Sequence, residues 1–167
     1  MIKRILLFLL VILVVIQFIH PAKNISNGDQ PNNIAKAYNV PADVKIILDK
    51  ACMDCHSNNT RYPWYSKIQP VDWWLTKHIN EGKRGFNFDE YTNKSLRYQF
   101  NKMGDVTELV KKNDMPLDSY TWIHKDAILT DQEKTALINW SEGIRNEMKA
   151  KYPADSLKRK PRPEGKP

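Results

Sequence analysis

The sequence predicts a mostly α-helical domain behind an N-terminal transmembrane or signal helix. Three observations carry that expectation. An almost unbroken apolar run extends from Ile5 to Ile19. Apolar residues recur at three- and four-residue steps in the stretches that begin near Pro41, Leu96 and Thr130, as one buried helix face requires. No strand–helix–strand pattern interrupts them. With 167 residues the chain has room for one ordinary domain, not two.

The first element spans residues 1–22. Lys3 and Arg4 precede a run whose only polar member is Gln17. The run is short for a bilayer span, which takes about 20 residues, and matches the apolar core of an export signal. The following His20-Pro21-Ala22-Lys23 offers no pair of small residues at the usual cleavage spacing. An uncleaved signal anchor is therefore expected, with a removed signal peptide as the alternative. The two cations hold the start of the chain in the cytoplasm and send the rest across. That places the domain in the periplasm, anchored to the inner membrane, or soluble there if the segment is cleaved. A buried core helix is a poor alternative, because a helix apolar on every side has no one face to bury.

Residues 23–40, rich in Asn, Gly and Pro, read as a linker. The folded part is expected over 41–150. Pro41-Ala42-Asp43 opens a helix with a proline and an acid in its first turn, and Val44, Ile47 and Ala51 share a face. Leu96, Phe100, Met103 and Val110 mark a second helix, with Met103 in its core face. Thr130-Asp131-Gln132-Glu133 forms a capping box, after which Leu137, Trp140, Ile144 and Met148 trace an amphipathic helix of about 18 residues. Residues 151–167, basic and rich in proline, read as a disordered tail. The net charge of +7 points to an anionic membrane surface or an acidic protein partner. Dispersed Lys and Arg with no recognisable nucleic-acid motif argue against DNA or RNA.

The chemistry concentrates in Cys52-Met53-Asp54-Cys55-His56, which holds both cysteines of the chain. Two residues between the thiols let both sulfurs reach the vinyl groups along one porphyrin edge. The next residue, His56, is then carried over the macrocycle face, where its imidazole can bind iron. One covalent haem c is thus expected, linked at Cys52 and Cys55 and ligated by His56. Three alternatives compete. A structural zinc site would need a fourth ligand from His78 or His124. A redox dithiol would expect a strand before the motif. A plain disulfide across so small a loop would stabilise little.

A second iron ligand is sought among Met and His. Met115 is preferred: it lies in Asn113-Asp114-Met115-Pro116, between two helical stretches, and Pro116 restricts the local backbone. His78, His124 and an open site are the alternatives. Arg61 is a candidate partner for a haem propionate, since a guanidinium grips a carboxylate with two bonds. Trp64, with Tyr62, Tyr65, Trp73 and Trp74, is a candidate haem wall, ordinary core packing being the other reading.

The chain resembles the haem-binding domain family of small exported monohaem c-type cytochromes of the Bacteroidetes type. The resemblance rests on Cys52-Met53-Asp54-Cys55-His56-Ser57-Asn58, Tyr62-Pro63-Trp64-Tyr65, Pro70-Val71-Asp72-Trp73-Trp74, Asn87-Phe88 and Met115-Pro116-Leu117-Asp118-Ser119-Tyr120. His124, Ala127, Leu129, Glu133 and Trp140 complete it. It covers about 41–145 and implies a cytochrome c-like helical fold with His56 as proximal ligand. The stretch from Trp64 to Tyr91 is longer and more aromatic than the loop of a minimal cytochrome c, which keeps His78 in view. A membrane-tethered electron carrier with an acidic redox partner is the expected function, more a carrier than an enzyme. A small-ligand sensor or peroxidase-like enzyme with an open distal site is the alternative.

Overall fold

The computed structural model describes residues 1–158. Its α-helices are α1 (Ile2–Ile16), α2 (Ala42–Ala51), α3 (Met53–His56), α4 (Val71–Gly85), α5 (Leu96–Lys112), α6 (Asp118–Thr121), α7 (Asp131–Lys151) and α8 (Ala154–Leu157). Short 3-10 turns lie between some of them. Among the described residues there is no strand, only an isolated parallel bridge between Asn32 and Glu90. The mostly α expectation therefore holds. The chain divides into two compact units: Met1–Gly28 with Asp54–Asn87, and Asp29–Met53 with Phe88–Pro167.

In the first unit α1 stands with no buried residue. It has 15 residues, so its length is about 22 Å against an apolar bilayer core of about 30 Å. No helix among the described residues is long and apolar enough to cross a membrane. The expectation of a transmembrane helix is therefore not supported: the helix closes at Gln17, and the chain leaves it through a turn at Gln17 and Phe18. Gln17 turns its amide back onto Gln69, receiving the Gln69 N–H at 2.9 Å on Oε1. Asn24 is bound more fully still. Its Nδ2 donates to the Ser57 carbonyl at 3.0 Å and to Thr60 Oγ1 at 2.9 Å, and its backbone N–H donates to the Tyr62 hydroxyl at 2.7 Å. α4 packs on the 3-10 turn Trp64–Lys67 and buries Asp72 and Ile79.

In the second unit α5 and α7 form the main helix pair, with α2 against α7 and α8 against α5. The capping box at Thr130 and Glu133 is fully formed, and α7 runs 21 residues from it. Such a cap contributes about 1 kcal/mol. Leu137, Trp140, Ile144 and Met148 are buried on one face of α7, and they meet Met103 and Val110 of α5 and Val44, Ile47 and Leu48 of α2 in the core. Each large side chain so covered gains about 1.5–3 kcal/mol from leaving water. The Trp140 indole N–H, which could not be buried unpaired, donates to the Asn39 carbonyl at 3.0 Å. Residues expected as linker carry structure: Ile34 and Tyr38 are buried, and the Ile34 N–H donates to the Phe88 carbonyl at 2.9 Å. Two apolar side chains among many polar ones anchor a segment whose composition alone reads as loop. At the other end, the span expected as a disordered tail carries structure in its first part, where α8 buries Leu157, while 159–167 lie outside the described residues.

Candidate functional site

α2 delivers the motif. Cys52 ends that helix, its N–H donating to the Leu48 carbonyl at 2.9 Å. The single turn α3 follows at once and closes on His56. Neither cysteine is in a disulfide, so that alternative is not what the structure contains. Both thiols are partly exposed. Burial, then the neighbouring Asp54 carboxylate, pushes the Cys55 thiol up to about 11. A thiol held neutral in this way is a poor nucleophile. Among the described residues no three or more His, Cys, Asp or Glu gather where they could hold a metal ion, so a zinc site lacks its ligand set.

α4 frames Cys55 and His56 from the other side of the first unit. At Gly82 a Cβ would stand 2.6 Å from the Cys55 carbonyl oxygen and 3.0 Å from Cys55 Cβ. The helix can approach this closely only because that position has no side chain. Four residues on, at the end of α4, the Phe86 carbonyl lies 2.9 Å from His56 Nδ1. A carbonyl can only accept, so Nδ1 carries the proton, and in the neutral ring the lone pair is then on Nε2. The Phe86 ring is tilted at 45° to the imidazole with centroids 6.2 Å apart, which limits rotation of the ring further. His56 is thus oriented and in the tautomer that an iron ligand needs.

The turn after the motif is held by its own hydrogen bonds. Asp54, buried between the cysteines, accepts the Arg61 N–H and the Arg61 guanidinium Nε–H, both at 3.1 Å. The Thr60 hydroxyl donates to the Asp54 carbonyl at 2.6 Å. Arg61, expected at a propionate, is therefore engaged by Asp54, with its side chain 66% exposed. Trp64 is 75% exposed and meets Tyr65 edge-on, with ring centroids 5.8 Å apart. His78 packs its ring on Trp74 at 4.4 Å, and its Nδ1 lies 3.9 Å from Glu81.

Met115 and His124 belong to the second unit, as does Cys52. α5 closes on Asn113 in the left-handed conformation (φ 60°), and the Asp114 N–H turns back to the Leu109 carbonyl at 2.9 Å. That closure sets the direction of the loop carrying Met115, which is half-buried. His124 stacks on Tyr120 with centroids 4.3 Å apart. Sequence reasoning missed Gly82, Phe86 and Asn24. A glycine inside a helical pattern was the one available signal, for Gly82.

A family model described as a haem-binding domain matches residues 11–143. The match begins inside α1 and so takes in the Gln17–Asn24 segment bonded to the first unit. No curated protein and no solved structure matches the chain.

Proposed function

The chain belongs to the haem-binding domain family, and on that premise we propose that it is an exported monohaem c-type cytochrome that carries single electrons. In this reading Cys52 and Cys55 hold one haem c through thioether links, and His56 Nε2 ligates its iron. The bound group supplies a one-electron iron couple. The protein's own part is to fix the ligand, keep the site dry and set how strongly the iron is held. The observation that supports the reading is the His56 Nδ1–Phe86 carbonyl bond, an orientation of the ring that suits ligation through Nε2, beside a Cys-x-x-Cys pair. The donor set fits haem: two thiols outside any disulfide and one oriented imidazole.

Met115 is proposed as the second ligand, a thioether that would favour electron transfer by filling the distal position. The apolar α1 supports export, and its even apolarity supports retention at the membrane, entering the bilayer without crossing it alone. Cleavage after export is the alternative fate. The net charge of +7 supports an acidic redox partner.

A pyridine haemochrome spectrum of the chain matured with a cytochrome c assembly system, after acid–acetone extraction, tests the attachment. One haem c per chain is expected, lost in the Cys52→Ala/Cys55→Ala double variant. A colourless protein, or haem that the extraction removes, would overturn it. For the second ligand, Met115→Ala should abolish the weak sulfur-to-iron band at the red end of the oxidised spectrum. If the unaltered protein has no such band, Met115 is not the ligand.

A further inference from the structure

α1 leaves an unusual surface problem at its foot. Its apolar side chains from Ile2 to Val15 are exposed, and the helix is fastened to the folded unit where it ends. The Ile19 carbonyl accepts from Gln69 Nε2 at 2.6 Å and from the Trp73 indole N–H at 3.0 Å. His20 Nδ1 and Lys23 Nζ lie 2.8 and 2.5 Å from the two oxygens of buried Asp72. These bonds fasten the foot to the first turn of α4. Beside that joint Ile68, Val71, Trp73 and Trp74 are 44, 37, 39 and 46% exposed, flanked by exposed Lys67 and Lys77.

We propose that this first turn of α4 is a membrane seat, on which Ile68, Val71, Trp73 and Trp74 enter the headgroup region of the anionic bilayer that receives α1. The inference rests on the reading that α1 enters a membrane. Three arguments carry it. Ile19, at the foot of α1, is 54% exposed and its carbonyl is bonded to the Trp73 indole, so the apolar stretch of α1 ends beside the patch. α1 is about 8 Å short of the bilayer core, and a short apolar helix is accommodated by interfacial residues at its end. Trp is suited to that depth, with an apolar body and a polar N–H, and the two lysines face the charge that anionic lipids present.

The test uses the full haem-loaded chain in phosphatidylglycerol-containing vesicles, with hydroxyl-radical footprinting read by mass spectrometry. Trp122, 70% exposed in the other unit, is the internal reference. Oxidation of Trp73 and Trp74 is expected to fall at least about threefold relative to Trp122. Val71→Glu, at an exposed position, should restore Trp74 oxidation while the haem spectrum stays unchanged. If α1 peptides are protected but both tryptophans oxidise like Trp122, the seat is overturned and the membrane reading stands. If α1 itself is unprotected, both fail together. Protection that vanishes when protein is diluted into excess lipid would mean that a second copy covers the patch, which also overturns the seat.

Discussion

Asp72 has no exposed surface, and its charge is matched from outside its own helix by Lys23 and His20. Burial alone would raise its carboxyl. Hydrogen bonds from Lys23 and His20, together with their charges, outweigh that and hold it below the ordinary carboxylate range. A carboxyl depressed on folding contributes stability that is present above its unfolded value of about 3.9 and is lost as pH falls through the lower folded value. Lys23→Met should thus destabilise the protein by about 1–3 kcal/mol near neutrality, since it strips a buried carboxylate of a partner. The gap between variant and parent should shrink as pH drops through that acid range. Urea unfolding followed by circular dichroism at several pH values measures it, and a gap independent of pH would refute the assignment. By contrast, the Asp54–Arg61 pair has its arginine mostly in solvent, where such pairs contribute at most about 1 kcal/mol. Its value lies in closing the turn after His56.

At the scale of elements, α4 organises the first unit. Its start holds the foot of α1, its Gly82 lies against Cys55, and the residue that ends it supplies the carbonyl that orients His56. Helix-to-backbone contact at Gly82 leaves nothing flexible to give way, because the nearest atom is a carbonyl oxygen at 2.6 Å. Gly82→Ala should cost about 1–3 kcal/mol by overpacking despite alanine's better helix propensity, and should lower covalent haem per chain. Gly85→Ala is the control: nothing lies within 4 Å of its Cβ position. Thermal unfolding and the haemochrome ratio of the two variants decide the matter. If Gly82→Ala matches the parent in both, the close approach has no role in presenting the motif. In the second unit, the helices α2, α5 and α7 follow their apolar periodicity closely.

At the scale of the whole molecule, the +7 charge sets how the protein meets its partners. Electron exchange with an anionic oxidant such as ferricyanide should slow as salt rises, because screening acts over about 10 Å at 0.1 M. A cationic cobalt chelate should give the opposite salt slope. Stopped-flow rates across an ionic-strength series check this, and equal slopes for the two oxidants would remove the electrostatic argument for an acidic partner.

Helices α1, α2, α5 and α7, the capping box at Thr130 and the spacing of Cys52, Cys55 and His56 were determined by the sequence alone, because each depends on residues within one or two turns of one another. Periodicity likewise marked Met103 as core, and it is fully buried. What tertiary structure decided is everything that needs two distant segments to meet. The partner of His56 lies 30 residues away in Phe86, the contact at Cys55 comes from Gly82, and the partners of Asp72 come from His20 and Lys23. No local pattern encodes a backbone carbonyl as a ring's hydrogen-bond partner, since every residue carries one. Nor does composition separate a linker from a segment like 17–38, whose few buried or fully bonded residues, Asn24, Ile34 and Tyr38 among them, are held by neighbours far along the chain. Burial of those neighbours gives the segment its structure, and burial is a property of the folded chain.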